Sequence, residues 1–258
     1  MLFFTLLMLF GFENNLPASE VKVSEDKIVM ENPKTVFEST NVDNRSELAS
    51  KKDSDKDSYA STKVDVGQFR IHLNESLKQG SISFEEVKTE FTNLLVDKII
   101  PYWYGTPWSF EGHTAVPNQG NIACGYFIST TLRDMGLKIN RYKLAQKSPF
   151  DEAKTISCGI DIQSIAHEKT EKAFEEIDRL TQEGLYFIGF DKGHVGYLLK
   201  RKGQLFLIHS NYFSPGLVCM EPFEKSRAFK SFSKFYLVDI SNNDILIKHW
   251  LDNRTVLL

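Results

Sequence analysis

Gly193-His194-Val195-Gly196-Tyr197-Leu198-Leu199-Lys200-Arg201-Lys202-Gly203-Gln204-Leu205-Phe206-Leu207-Ile208-His209-Ser210-Asn211 reads as two apolar strands joined by a turn within Lys200–Gln204. Strand side chains alternate between faces, so His194, His209 and Asn211 share one side of the hairpin. A two-residue turn sets His194 opposite either His209 or Asn211, whereas a three-residue turn brings Ser210 opposite. His209 is the favoured partner: Leu205 and Leu207 on its face can enter a core while His209 stays at the sheet end. Asn211 is the reserve. Further strands are expected at about 185–190 and 234–240.

Upstream of the hairpin the periodicity is helical. Val66, Phe69, Leu73 and Leu77 predict a short helix ending at Gly80. Ser83 with Glu86 forms a capping box ahead of the apolar stripe Phe84, Val87, Phe91, Leu94 and Leu95, and that helix is expected to stop before Pro101. An aromatic, Gly- and Pro-punctuated loop over 101–123 leads into a helix over 124–135 that Gly136 ends. Ser148-Pro149 predicts another helix start. A charged helix over about 168–182 points Ala173, Phe174, Ile177 and Leu180 inward, and Gly184 closes it. Helices first and strands later imply an α+β domain with an antiparallel sheet.

The N-terminal quarter reads differently. Residues 1–12, Met1 to Phe12, carry no charge and are too short to span a bilayer. With Leu16-Pro17-Ala18 as a small-residue cleavage zone, residues 1–18 are expected to be a secretory signal without a basic start. Residues 19–63 are dense in Ser, Asp, Glu, Lys and Asn and are expected to form a disordered tether. That leaves 64–258 as one domain. A net charge of −3 gives no reason to expect nucleic-acid binding. There is no CxxC or HExxH motif, and neither a metal nor an organic cofactor is expected. Three cysteines are too few for a disulfide scaffold. In an exported chain Cys158 and Cys219 could pair and leave Cys124 free.

Cys124 opens the helix Cys124-Gly125-Tyr126-Phe127-Ile128-Ser129-Thr130-Thr131-Leu132. A thiol at a helix N-terminus, then a histidine starting one strand and a polar residue on the next, is the order a cysteine nucleophile needs. The helix end favours the thiolate, the histidine takes the thiol proton, and the third residue orients the imidazole. Cys124, His194 and His209 (or Asn211) are therefore the candidate catalytic set. Gly193 and Gly196 beside His194 leave room for a ligand. Gln119 is a candidate oxyanion donor. His113 shares its loop and is expected to be an ordinary exposed histidine. The aromatic cluster Tyr102, Trp103, Tyr104, Trp108 and Phe110 is expected to be part core and part cleft wall.

These segments together resemble the NlpC/P60 superfamily of cell-wall peptidases, which have a papain-like fold. Tyr104-Gly105-Thr106-Pro107-Trp108-Ser109-Phe110-Glu111-Gly112 resembles the Gly-Thr-Pro-aromatic segment that begins such domains. Ala123-Cys124-Gly125-Tyr126-Phe127 resembles their Asp-Cys-Ser-Gly-Phe nucleophile motif, His194-Val195-Gly196 their His-Val-Gly strand, and Ile208-His209 their third polar residue. The match covers about residues 95–212 and departs from the pattern. Ala123 replaces the Asp, the Ser after the cysteine is missing, and Trp108 stands where the family has a tyrosine bordering the site. Gln119 also resembles the papain-type oxyanion glutamine at a spacing one residue short, and Tyr104 is the candidate substitute for the missing tyrosine. The resemblance implies a divergent thiol hydrolase that cleaves an amide bond in peptidoglycan stem peptides without a cofactor; the N-terminal segment adds the expectation that it is secreted or periplasmic, and a monomer is expected. Two alternatives go with it: a non-catalytic cell-wall peptide-binding module on the same fold, and a Cys-His acyltransferase or lipid-acting relative.

Overall fold

A computed structural model of the chain describes residues 44–256. The expected signal segment, and the expected tether as far as residue 43, lie outside the described residues. The first helix, α1, runs Asn44–Lys78, so the boundary expected at residue 64 falls inside a helix. Tyr59, Val66 and Leu73 recur every second turn and are all buried, which docks one stripe of α1 onto the domain. Tyr59 donates to Asp134 Oδ2 at 2.8 Å and accepts from Trp103 Nε1 at 2.9 Å. Tyr59 therefore belongs to the folded part of the chain, on the N-terminal side of the expected boundary.

Helix α2, Phe84–Asn93, begins with the anticipated capping box at Ser83 and Glu86. The chain does not leave its helical path before Pro101. A wide turn, Leu94–Ile99, passes into a tight 3-10 turn, Ile100–Trp103, that carries Pro101 in its first positions, where no N–H is needed. Next come α3 (Cys124–Asp134), α4 (Arg141–Ala145) and α5 (Pro149–Ser157), the last capped by Ser148 through the Asp151 N–H.

The remaining elements are β1 (Gln163–Ala166), α6 (Thr170–Leu180), β2 (Gly184–Phe190), β3 (His194–Arg201), β4 (Gln204–Ser210), β5 (Val218–Pro222), α7 (Arg227–Lys230), β6 (Lys234–Asp239) and α8 (Asp244–Leu251). The strands form one antiparallel sheet in the order β1-β6-β2-β3-β4-β5. The domain is thus α+β. The two edge strands, β1 and β5, escaped the sequence reading because each buries a single apolar side chain, Ile165 or Val218.

The sheet is covered on both faces. Val195, Tyr197, Leu199 and Ile208 pack with Phe91, Phe127, Ile128 and Trp250 from the helices. Leu198, Leu205, Leu207 and Phe235 pack with Ala173, Ile177 and Phe229 on the other side. The central hairpin pairs Arg201 with Gln204 and Tyr197 with Ile208. Lys202 (φ 55°) and Gly203 (φ 72°) therefore form a two-residue turn whose left-handed backbone matches the strand twist. Of the registers open from sequence, this one carries His194 towards Asn211 and leaves His209 as its diagonal neighbour.

The three cysteines are free thiols, so Cys158 and Cys219 do not pair. Cys158 ends α5 and packs against the helical core, whereas Cys219 lies on edge strand β5 with its sulfur 3.9 Å from Asn211 Nδ2.

Candidate active site

The segment ahead of Cys124 is tied down from two directions. Ile122 and Ala123 donate to the carbonyls of Pro107 and Gly112 at 2.9 and 2.8 Å, and the buried Ser210 hydroxyl at the end of β4 donates to the Ile122 carbonyl at 2.7 Å. The chain then turns into α3 from an extended Ala123 (φ −82°, ψ 162°), whose side chain cannot cap the helix. The first N–H groups of α3 remain available, and those of Cys124 and Gly125 face the sulfur together with the N–H of Val195. Gly125 is demanded by packing: a Cβ there would lie 2.7 Å from the Ala145 carbonyl oxygen of α4.

At the other wall, a chain of hydrogen bonds runs across three strands. His194 Nε2 shares a hydrogen bond of 2.8 Å with His209 Nδ1, and His209 Nε2 shares one of 3.1 Å with Glu221 Oε1 on β5. His194 is 2 % exposed and His209 fully buried. Phe190 and Tyr212 hold the His194 ring at centroid distances of 5.2 and 5.1 Å. Gly196 was expected to leave room for a ligand, but its space is used by protein. A Cβ there would lie 3.0 Å from Leu207 Cδ1 and 3.2 Å from His209 Cβ, so the glycine is what allows His209 to sit diagonal to His194.

Cys124 and His194 line one cleft of about 510 Å³. The sulfur is turned towards the carbonyl of Gly193, the residue before His194, at 3.9 Å. Burial pushes the Cys124 thiol up to about 11, against the pull of the Val195 N–H. Burial, and then the neighbouring His209, push His194 well below its ordinary value. The resting pair is therefore a thiol and a neutral imidazole rather than the thiolate anticipated at a helix end. The helix terminus supplies about 0.3–1 kcal/mol, and desolvation outweighs it. Glu221 is held below the usual carboxylate range, chiefly by its hydrogen bond with His209 and also by Ser226.

Of the residues expected to bind substrate, Trp108 lines the cleft, next to Phe110, Glu111, His113, Tyr126, Gln146 and Tyr212. Phe110 is 83 % exposed at the mouth. Tyr104, Gln119 and Asn211 lie outside the lining. The Tyr104 hydroxyl points to Met220 Sδ at 3.9 Å. Gln119 sits in a turn, where its N–H donates to Val116 and its carbonyl accepts from the Thr114 hydroxyl at 2.6 Å. The Asn211 side-chain oxygen Oδ1 accepts from the Phe213 N–H at 2.9 Å, which turns the side chain into its own loop and leaves His209 as the partner of His194.

His113 is exposed, as expected, and also lines the cleft. Its Nδ1 is 2.8 Å from the Glu111 carbonyl, its ring lies 5.9 Å from Tyr126, and the buried Arg141 donates to its carbonyl and to that of Thr114. Sequence reasoning missed Glu221, Gln146 and Tyr212. Tyr212 adjoins a residue already suspected, but Glu221 has no local signal, because only the β4–β5 pairing brings it to His209.

Among the described residues no group of His, Cys, Asp and Glu side chains is arranged to hold a metal ion, and no helix is long and apolar enough to cross a membrane. No family model matches the chain, and no curated protein or solved structure is significantly similar to it.

Proposed function

We propose that the protein is a thiol hydrolase that cleaves an amide bond by acyl transfer to Cys124. The observation that carries this reading is the hydrogen-bonded His194–His209–Glu221 chain, whose buried His194 end shares a cleft with a thiol at a helix N-terminus. The His194 nitrogen not engaged with His209 is Nδ1. In the reaction the sulfur leaves the Gly193 carbonyl, and the thiol proton passes to Nδ1 as the S–C bond forms. The oxyanion is met by the Cys124 N–H. The imidazolium returns that proton to the departing amine as the C–N bond breaks. His194 then takes a proton from water, the hydroxyl adds to the thioester, the S–C bond breaks, and the proton goes back to sulfur. His209 orients His194 throughout.

The sequence likeness to NlpC/P60 peptidases supports a papain-like arrangement and a peptidoglycan stem peptide as substrate, and the uncharged Met1–Phe12 stretch supports export. The test is amine release from purified peptidoglycan. Cys124→Ser and His194→Ala should abolish release with the fold intact, and His209→Ala should lower it less. A Cys124→Ser protein as active as wild type would end the reading.

The elevated thiol and its contact with Gly193 favour one alternative, a module that holds a cell-wall peptide without turnover. Wild-type protein that sediments with sacculi and releases no amine would select it.

A further inference from the structure

The two-histidine chain can carry its proton in more than one way, and the catalytic reading requires one of them. His194 can accept from sulfur at Nδ1 only if its other nitrogen, Nε2, holds the ring proton. Nε2 must then donate to His209 Nδ1, which can accept only if the His209 proton sits on Nε2. A neutral acceptor-only group beyond Nε2 would suffice for geometry, whereas an anion also compensates the charge that appears when His194 is protonated. Glu221 Oε1, 3.1 Å from His209 Nε2, occupies that position.

We propose that Glu221 is a positioning residue that sets the tautomers of both histidines and holds the positive charge of the chain, so that His194 Nδ1 is the base. This rests on the hydrolase reading for its catalytic consequence, but the tautomer assignment stands on its own geometry. Glu221 shares β5 with Cys219, which lies directly opposite His209, and the diagonal from His209 to Glu221 has the reach that long side chains span across a sheet. Its side chain is 27 % exposed, whereas the His209 side chain is fully enclosed, so the carboxylate can stay ionised at the protein surface while serving a buried ring. The other titratable groups around the chain are Cys124, Glu111, His113 and Tyr126 in the cleft, Tyr212 against the His194 ring, Cys219 on β5, and Glu152, whose charge would reach Cys124. None of these is hydrogen-bonded to His209 Nε2 among the described residues; Glu221 is.

The experiment uses the full chain, labelled with nitrogen-15 in its histidine rings, and compares wild type with Glu221→Gln and Glu221→Ala. Each ring is assigned by single histidine substitution. In wild type, Nδ1 of both His194 and His209 should resonate as unprotonated acceptors. Glu221→Gln is nearly isosteric on an edge strand; it keeps an acceptor oxygen and removes the charge. The tautomers should persist, while the midpoint for protonating the pair falls by about one pH unit. In Glu221→Ala the His209 signals should move towards a mixture of tautomers. In the amide-release assay, Glu221→Gln should lower kcat on the order of tenfold, the equivalent of that one unit. It should also move the acid limb of kcat/KM to lower pH by the same interval. A merely structural Glu221 would leave both the limb and the midpoint where they are, and that result overturns the proposal, as does protonated Nδ1 in the wild-type spectrum. If wild type releases no amine yet shows the assigned tautomers and their shift, the hydrolase reading has failed and the role of Glu221 has not.

Discussion

Replacing Tyr59 with Phe isolates the contact that makes the start of the described chain part of the domain. The ring is 2 % exposed and meets Trp103 edge-on at a centroid distance of 5.9 Å, so Phe keeps the apolar packing and removes only the hydroxyl. That hydroxyl serves two buried groups. Without it the Trp103 indole N–H, in a fully buried side chain, has no acceptor, which costs about 1–3 kcal/mol. Asp134 loses its Tyr59 donor but keeps Arg133 at 2.7 Å, so its share is smaller. A net loss of about 2 kcal/mol follows, and at about 2–4 °C per kcal/mol for a chain of this size the melting temperature should fall by roughly 4–8 °C. Removing residues 1–63 deletes the whole ring and should cost about 3–5 kcal/mol, as other buried aromatic deletions do. Thermal melting followed by far-UV circular dichroism, with urea titration as a second measure, reads both. A Tyr59→Phe protein melting within about 1 °C of wild type would refute the docking of α1 at this point and restore a domain boundary near residue 64.

Other perturbations probe the site and its surroundings. Gly196→Ala should displace His209 and cost about 1–3 kcal/mol of stability together with most amide release; unchanged activity would show that the diagonal histidine contact is dispensable. Gly125→Ala drives a methyl into the Ala145 carbonyl and should destabilise at least as much, read by the same melting curves, since backbone on both sides cannot yield. With its thiol pushed up to about 11, Cys124 should alkylate with iodoacetamide slowly at pH 7, and its rate should keep rising through pH 9; a plateau below pH 8, read by peptide mass mapping, would contradict the burial argument. Glu152 on α5 is 1 % exposed, its Oε1 has no hydrogen-bond partner among the described residues, and burial raises its carboxyl well above the ordinary value. The folded state thus keeps a proton that the unfolded chain releases above its own pKa of about 4.3. Stability should therefore decline as pH rises from there towards the folded value. Glu152→Gln should flatten that decline above about pH 4.3 in urea titrations, and an unaltered slope would count against a neutral buried carboxyl.

Local pattern was enough for much of this protein. Alternation over 194–210 broken within Lys200–Gln204 placed the hairpin, the Ser83 and Ser148 caps placed two helix starts, and an apolar stripe behind Cys124 placed the thiol at a helix end, because each depends on residues within a turn or two of one another. For a two-residue turn, the hairpin arithmetic even narrowed the partner of His194 to two residues. Tertiary structure chose between them: the register favours Asn211 as the opposite residue, but a loop hydrogen bond to Phe213 turns it away and the missing side chain at Gly196 admits His209. Glu221 depends on a strand with almost no apolar signal pairing to β4, and Tyr59 depends on a polar helix finding Trp103 and Asp134 far along the chain. The protonation of the site was beyond local pattern for the same reason. A helix N-terminus can be read from sequence, but the desolvation that keeps Cys124 a thiol is summed over every element that closes around it.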